Sequence, residues 1–322
     1  MQVTFSIARY DPQQQRAAAQ QYQLAIAPGQ TVLDGLLQIK AEQDGTLAFR
    51  KNCRNTICGS CAMSINGRST LACKESVAQE VERFNTTEIA IAPLGNLPVI
   101  RDLIVDMQPF WDDLEAVYPY VSSQGRAVPE REFLQTPEQR SQLEQMGNCI
   151  LCGACYGECN AKAVNPDFVG PHALAKAQRL VGDNRDSQTT ARLQQYNKDL
   201  SGVWGCTRCY QCDAVCPMGV EPMAQISQLK QAILANATSQ DSRPIRHRKT
   251  LVELVKTGGW IDERQFGIQV VGNYFRDLKG LLSIAPLGLR LLARGKFPLT
   301  FEPSEGTEEV RKLITAVQQV KS

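Results

Sequence analysis

Histidine is almost missing from this sequence, with 2 among 322 residues, and aromatics make up only 7%. Imidazole-based metal sites and proton relays therefore have little to build on. No apolar run reaches the roughly 18 residues that a membrane span needs. No G-x-G-x-x-G follows a strand and no phosphate-binding G-x-x-x-x-G-K-S/T occurs, so nucleotide sites of either kind are not visible. An excess of one charge is also lacking. The 35 Lys and Arg residues face 33 Asp and Glu residues, a net charge of +2. That balance argues against a dedicated nucleic-acid binder and against a disordered charged tail. The opening MQVTFSIARYDPQQQ has no basic stretch leading into an apolar core, so it does not read as a signal peptide. The chain is expected to fold in the cytoplasm, without a transmembrane segment.

Cysteine is what the sequence has in quantity: 12 residues, in three groups of four with none left over. In a reducing compartment such groups read as metal ligands rather than disulfides.

The chain reads as α+β with three regions. Residues 1–105 look like a small β-grasp domain. VTFSIARY and QYQLAIA alternate apolar and polar residues as half-buried strands do, with DPQQQRAAAQ between them as a hairpin loop. Thr31 is placed to cap a helix carrying Leu33, Leu36 and Leu37, ended by Asp44-Gly45. A Cys-rich loop, a strand over Ala62–Ile65, an Asn66-Gly67 turn and a last strand in TEIAIA complete it. Residues 106–237 are helical. Thr136-Pro137 starts one helix, Pro171–Val181 and Pro222–Ala235 form two more, and two Cys groups lie on turns between helical stretches. Residues 238–322 form a basic extension, with 11 Lys or Arg against 5 Asp or Glu between positions 241 and 300. Its segment LKGLLSIAPLGLRLLARGKFPL mixes apolar and basic residues. It suits docking on a partner or an anionic membrane surface, or a helical hairpin packed on its own domain.

The first Cys group is Cys53-x4-Cys58-x2-Cys61-x11-Cys73, the plant-type 2Fe-2S spacing. A tight loop can wrap three thiolates around one cluster while a fourth arrives from a later strand, and Gly59 leaves room for close backbone approach. The second group is Cys149-x2-Cys152-x2-Cys155-x3-Cys159, and the third is Cys206-x2-Cys209-x2-Cys212-x3-Cys216-Pro217. Each is a bacterial ferredoxin run, in which the fourth Cys serves the other cluster. Cys149, Cys152, Cys155 and Cys216 would hold one 4Fe-4S cluster, and Cys206, Cys209, Cys212 and Cys159 the other. Structural zinc is the competing reading, but it favours isolated C-x2-C pairs and leaves these spacings unexplained. His172 and His247 read as ordinary polar residues. No nucleophile–base pair stands out, so the chain carries one-electron relays and no catalytic residue of its own.

The stretches TLAFRKNCRNTICGSCAMSINGRSTLACK, VIRDLIVDMQPFW, CILCGACYGECN and NPDFVGPHALAKAQRLVGDNRDS resemble the iron–sulfur subunit of succinate dehydrogenase and fumarate reductase. The resemblance runs from residue 1 to about 237. It implies a three-cluster wire in a succinate:quinone oxidoreductase, relaying electrons from an FAD-containing flavoprotein to a membrane-associated partner that reduces quinone. Four departures modify the picture. Thr56 stands where the family usually has Gly. Cys209 is present where the usual member lacks a cysteine and builds a 3Fe-4S cluster, so a second 4Fe-4S cluster is expected. Asn160–Val164 and Thr207 replace the Ser, Trp and His residues that help form the usual quinone pocket. HRKTLVELVKTGGWIDERQ and LLARGKFPLTFEP resemble the tail of heterodisulfide reductase small subunits. Together these imply the family's atypical branch, with a cysteine-rich subunit touching the cytoplasmic face of the membrane peripherally. A thiol-dependent fumarate reductase or a heterodisulfide-reductase-like complex is the alternative.

Overall fold

The computed structural model describes residues 1–13, 16–236, 242–298 and 300–320. They divide into two compact units, Met1–Ser239 and Gln240–Ser322.

The first unit is α+β. Its N-terminal part holds β1 (Gln2–Asp11), β2 (Arg16–Ala25), α1 (Val32–Glu42), β3 (Ala62–Ile65), β4 (Arg68–Leu71), α2 (Val77–Phe84) and β5 (Glu88–Ala92). The sheet order is β2-β1-β5-β3-β4. Only the β1–β5 pair is parallel, with Phe5 opposite Ile89 and Ile7 opposite Ile91. Alternate residues Val3, Phe5 and Ile7 of β1 are buried and meet Leu33, Leu36 and Ile39 of α1 in one core. Thr31 caps α1 through a reciprocal box with Asp34, which satisfies two of the first-turn donors. The expected loop over residues 11–20 is shorter than the sequence suggested. Ala17–Gln20 extend β2 and pair with Ile7–Tyr10. Ladder pairing along a long partner overrides the weak strand propensity of alanine and glutamine. Gln14 and Gln15 of that loop lie outside the described residues.

A small hairpin of β6 (Val99–Arg101) and β7 (Ile104–Val105) leads into the helices. These are α3 (Gln108–Glu115), α4 (Pro137–Gly147), α5 (Ala154–Gly157), α6 (Asn160–Val164), α7 (Gly170–Val181), α8 (Thr189–Tyr196), α9 (Gln211–Ala214) and α10 (Pro222–Ala235). Thr136 caps α4 in a box with Gln139, and Pro137 follows where its missing N–H costs nothing. Helix α7 is the central element, with nine buried residues that include Ala173, Leu174 and Leu180.

The second unit holds α11 (Arg243–Gly258), α12 (Glu263–Phe266), a π-helical turn Gly267–Val271, α13 (Leu278–Ala293) and α14 (Thr307–Val320). Helix α13 has no buried residue. Among the described residues, no helix is long and apolar enough to cross a membrane.

Candidate metal centre

All twelve cysteines are unpaired thiols, and Cys209 is the exposed one among them. The Cys53 group sits on the loop before β3 and just after β4. The loop turns backbone N–H groups onto sulfur. Asn55 N–H donates to Cys53 Sγ at 3.3 Å and Cys58 N–H at 3.4 Å, while Cys53 N–H donates to Cys58 Sγ at 3.5 Å. Hydrogen bonds from the N–H groups of Asn55, Ile57 and Cys58 pull the Cys53 thiol down to about 6. Arg54 and Thr56 both have φ of 56°. Left-handed backbone is unusual for a β-branched residue, and Thr56 is where the resemblance leads one to expect glycine. Its Oγ1 lies 4.0 Å from Cys73 Sγ.

Gly59 has φ of 72°, and a Cβ there would stand 2.8 Å from the Cβ of Cys152. Glycine is therefore required twice over, by the turn and by contact with the second Cys group. The close approach that Gly59 permits is to the Cys152 segment. The two loops face a shared cavity of about 430 Å³ lined by Cys58, Met63, Leu94, Trp111 and Cys152, among others. Gly95 is the second close approach, since a Cβ there would meet the Gly157 carbonyl oxygen at 2.6 Å.

The remaining eight cysteines line two pockets. One contains Cys149, Cys152, Cys155 and Cys216. The other contains Cys159, Cys206, Cys209 and Cys212. Each pocket thus takes three cysteines from one run and one from the other, because α7 and α10 bring the two runs side by side. Short helices aim the thiols. Cys155 is on α5, Cys212 is on α9, and Cys159 caps α6 by accepting the Lys162 N–H at 3.4 Å. Val220 N–H donates to Cys216 Sγ at 3.3 Å. The Cys206 thiol rests 3.6 Å from the Met223 sulfur.

The donor set fits iron–sulfur clusters. It is all thiol, and N–H groups already point at sulfur. Among the described residues, no three His, Cys, Asp or Glu side chains converge closely enough for a lone metal ion. Burial pushes the Cys61 thiol up to about 12 and the Cys152 thiol up to about 11, and it also raises Cys155, Cys159 and Cys212. Such thiols become ligands only when a metal displaces their protons.

Several residues that the spacing argument missed hold the centres in place. Asn96 Nδ2 donates to the carbonyls of Tyr156, Gly157 and Cys159 at 2.8, 3.2 and 3.1 Å. Ser69 N–H donates to the Glu158 carboxylate at 2.7 Å, and Lys74 Nζ to the Pro217 carbonyl at 3.1 Å. Lys162 is buried, with Nζ donating to Asp113 Oδ2 at 2.6 Å, Pro166 O at 2.7 Å and Phe168 O at 2.9 Å. An alternating Ala-Lys-Ala stretch gives no hint that its lysine points inward. His172 is buried too. It stacks on Phe110 at 3.8 Å and its Nε2–H donates to the Phe110 carbonyl at 2.9 Å. His247 meets the Phe266 ring edge-on at 5.0 Å.

These features define a class: an iron–sulfur protein with one plant-type and one dicluster ferredoxin module. The 2Fe-2S iron-sulfur cluster binding domain matches residues 4–112, and the 4Fe-4S dicluster domain matches residues 145–220. The chain is 37% identical over 237 residues to the fumarate reductase iron-sulfur subunit of Mycobacterium tuberculosis, covering 73% of this chain and 94% of that one. It is 37% identical over 231 residues to a mitochondrial succinate dehydrogenase [ubiquinone] iron-sulfur subunit of Oryza sativa, covering 70% and 73%. A chain of the Mycobacterium smegmatis Sdh1 complex shares the fold, with a TM-score of 0.63 and 23% identity, over 75% of this chain and 99% of that one. The chain belongs to the family of fumarate reductase and succinate dehydrogenase iron–sulfur subunits. It is an electron-transfer subunit that binds 2Fe-2S and 4Fe-4S clusters.

Proposed function

We propose that this chain relays single electrons within a succinate:quinone oxidoreductase, from an FAD-containing flavoprotein to a membrane-associated, quinone-reducing partner rich in cysteine. The observation that carries the reading is the crossed pair of thiol pockets beside the Cys53 loop. Residues 1–105 act as a β-grasp domain that holds one 2Fe-2S cluster on Cys53, Cys58, Cys61 and Cys73. Residues 106–237 hold one 4Fe-4S cluster on Cys149, Cys152, Cys155 and Cys216. They hold a second 4Fe-4S cluster on Cys159, Cys206, Cys209 and Cys212. The fourth thiol of that last set, Cys209, lines its pocket with the other three, which favours a four-iron over a three-iron cluster. Residues 238–322 form the extension, placed at the cytoplasmic face of a membrane.

When bound, the clusters supply one-electron carriers in series. The chain supplies thiolate charge and N–H donors to sulfur. Its fixed contacts, such as Gly59 on Cys152 and Lys74 on Pro217, hold neighbouring centres close. Cys209 and Tyr210 are exposed, which supports a last centre near the surface, where a partner can take the electron. The test uses the intact complex. Succinate should reduce the 2Fe-2S signal seen by electron paramagnetic resonance, and added quinone should reoxidise it. Clusters that stay oxidised under succinate would sink the proposed role.

A further inference from the structure

The second unit covers little of its own apolar surface. Among its described hydrophobic residues only Ile245, Leu254, Val270 and Val271 are buried, whereas Tyr274, Phe275, Leu278, Leu282, Leu289 and Leu292 are all more than half exposed. Most of this surface belongs to α13. At about 100° per residue, Leu278, Leu282, Leu289 and Leu292 fall within an arc of about 80°, while the exposed Leu287 falls on the opposite side. The face adjoining the Leu292 edge of the stripe meets the unit itself: Leu281 packs against Gly272, and Ile284 against Gly267. Past the Leu282 edge of the stripe, by about 60°, 80° and 120° at the same helical pitch, comes a basic ridge of Lys279, Arg290 and Arg294, with Arg276 and Lys296 near the two ends. None of these five cations has a carboxylate partner among the described residues. The single nearby acid, Asp277, is spent on capping the helix by accepting the Gly280 N–H at 2.8 Å. Just before α13, Asn273, Tyr274 and Phe275 all have positive φ, of 44°, 53° and 68°. This strained corner leaves the Tyr274 and Phe275 rings exposed just before the helix.

We infer that α13 lies flat on an anionic lipid surface, with its leucine stripe among the acyl chains and its basic ridge among the headgroups. An apolar stripe flanked by unpaired cations matches that occupant in both hydrophobicity and charge. The helix is too short to span a bilayer but long enough, at about 24 Å, to lie along one. Pro286 removes one backbone donor within the helix, which leaves the Leu282 carbonyl without its usual partner. Headgroup water can satisfy that carbonyl at an interface, as hydrocarbon could not. Tyr274 and Phe275 supply exposed aromatic side chains next to the helix, the residue types that favour an interface. All twelve cysteines belong to the other unit, so failure of this inference would leave the electron-transfer role standing.

The test is flotation of the cluster-loaded full chain with vesicles of phosphatidylglycerol and phosphatidylcholine, against vesicles of phosphatidylcholine alone. The full chain should partition at least about tenfold more strongly onto the anionic vesicles, and salt should weaken it. Leu282→Glu with Leu289→Glu should abolish flotation. Arg290→Gln with Arg294→Gln should weaken it by about fivefold per cation. The glutamine pair changes only exposed positions, and unchanged circular dichroism in both double variants guards against misfolding. No flotation, equal flotation with neutral vesicles, or flotation unchanged in both variants would overturn the inference. So would release of a protein subunit by the glutamate pair without any change in lipid partition, since a protein would then be the occupant.

Discussion

Lys162 offers a demanding test of how the second thiol pocket is held. Its ammonium group uses all three donors, on Asp113, Pro166 O and Phe168 O. Its side chain is only 8% exposed and that of Asp113 16%. Burial raises the Asp113 carboxyl above its usual range, while the hydrogen bond and charge of Lys162 oppose the rise. Lys162→Met keeps the length of the side chain but leaves two carbonyls without their donor and Asp113 with only the Tyr156 hydroxyl, at 3.2 Å. Breaking a buried pair by removing one member costs about 3–5 kcal/mol, a large part of the roughly 5–15 kcal/mol that keeps a domain folded. The loss should fall first on α6, whose cap is Cys159. The assay is urea titration of the cluster-loaded chain, following visible absorbance together with the paramagnetic signals of each cluster. The second 4Fe-4S signal should be lost at lower urea than the 2Fe-2S signal. Adding Asp113→Asn should recover part of the deficit, because no charge is then stranded. A cost under about 1 kcal/mol, or strict additivity of the two changes, would refute the reasoning.

Thr56→Gly should stabilise the Cys53 loop by about 1 kcal/mol through relief of left-handed strain, and should lower the 2Fe-2S potential by removing the hydroxyl near Cys73. Thermal bleaching and redox titration read the two effects separately, and a lower melting temperature would contradict the first. His172 is held neutral by burial, its pKa lowered to about 3 against 6.5 when unfolded. It therefore makes no pH-dependent difference above pH 6.5. As the pH falls from 6.5 towards 3, the unfolded state binds the extra proton and stability drops by up to about 1.4 kcal/mol per pH unit. His172→Phe should flatten that slope in urea titrations from pH 7 to pH 5, and an unchanged slope would show that His172 does not contribute.

The parts of the chain that read cleanly from sequence are those governed by local rules. Cap boxes at Thr31 and Thr136 and the proline start of α10 depend on a few neighbouring residues. Cysteine spacing depends on the size of a cluster. Strand β2 is not legible at Ala17–Gln20 because its conformation there is imposed by β1 rather than by its own residues. Helix α2 carried no spacing signal strong enough to be seen, although Val77 and Glu80 are buried. The inward lysine at 162 and the cross-links from Asn96, Ser69 and Lys74 depend on contacts across 49 to 143 positions, which no local pattern encodes. The amphipathic character of α13 was legible in LKGLLSIAPLGLRLLARGKFPL, but only the fold showed which of its leucines stay uncovered.

The most direct measurement is iron analysis of the intact purified chain, with electron paramagnetic resonance of the oxidised protein. The crossed pockets with Cys209 as fourth thiol predict about ten iron atoms per chain and no signal from an oxidised three-iron cluster. About nine irons with that signal present would contradict Cys209 as a ligand, and zinc in place of iron would contradict the electron-transfer account as a whole.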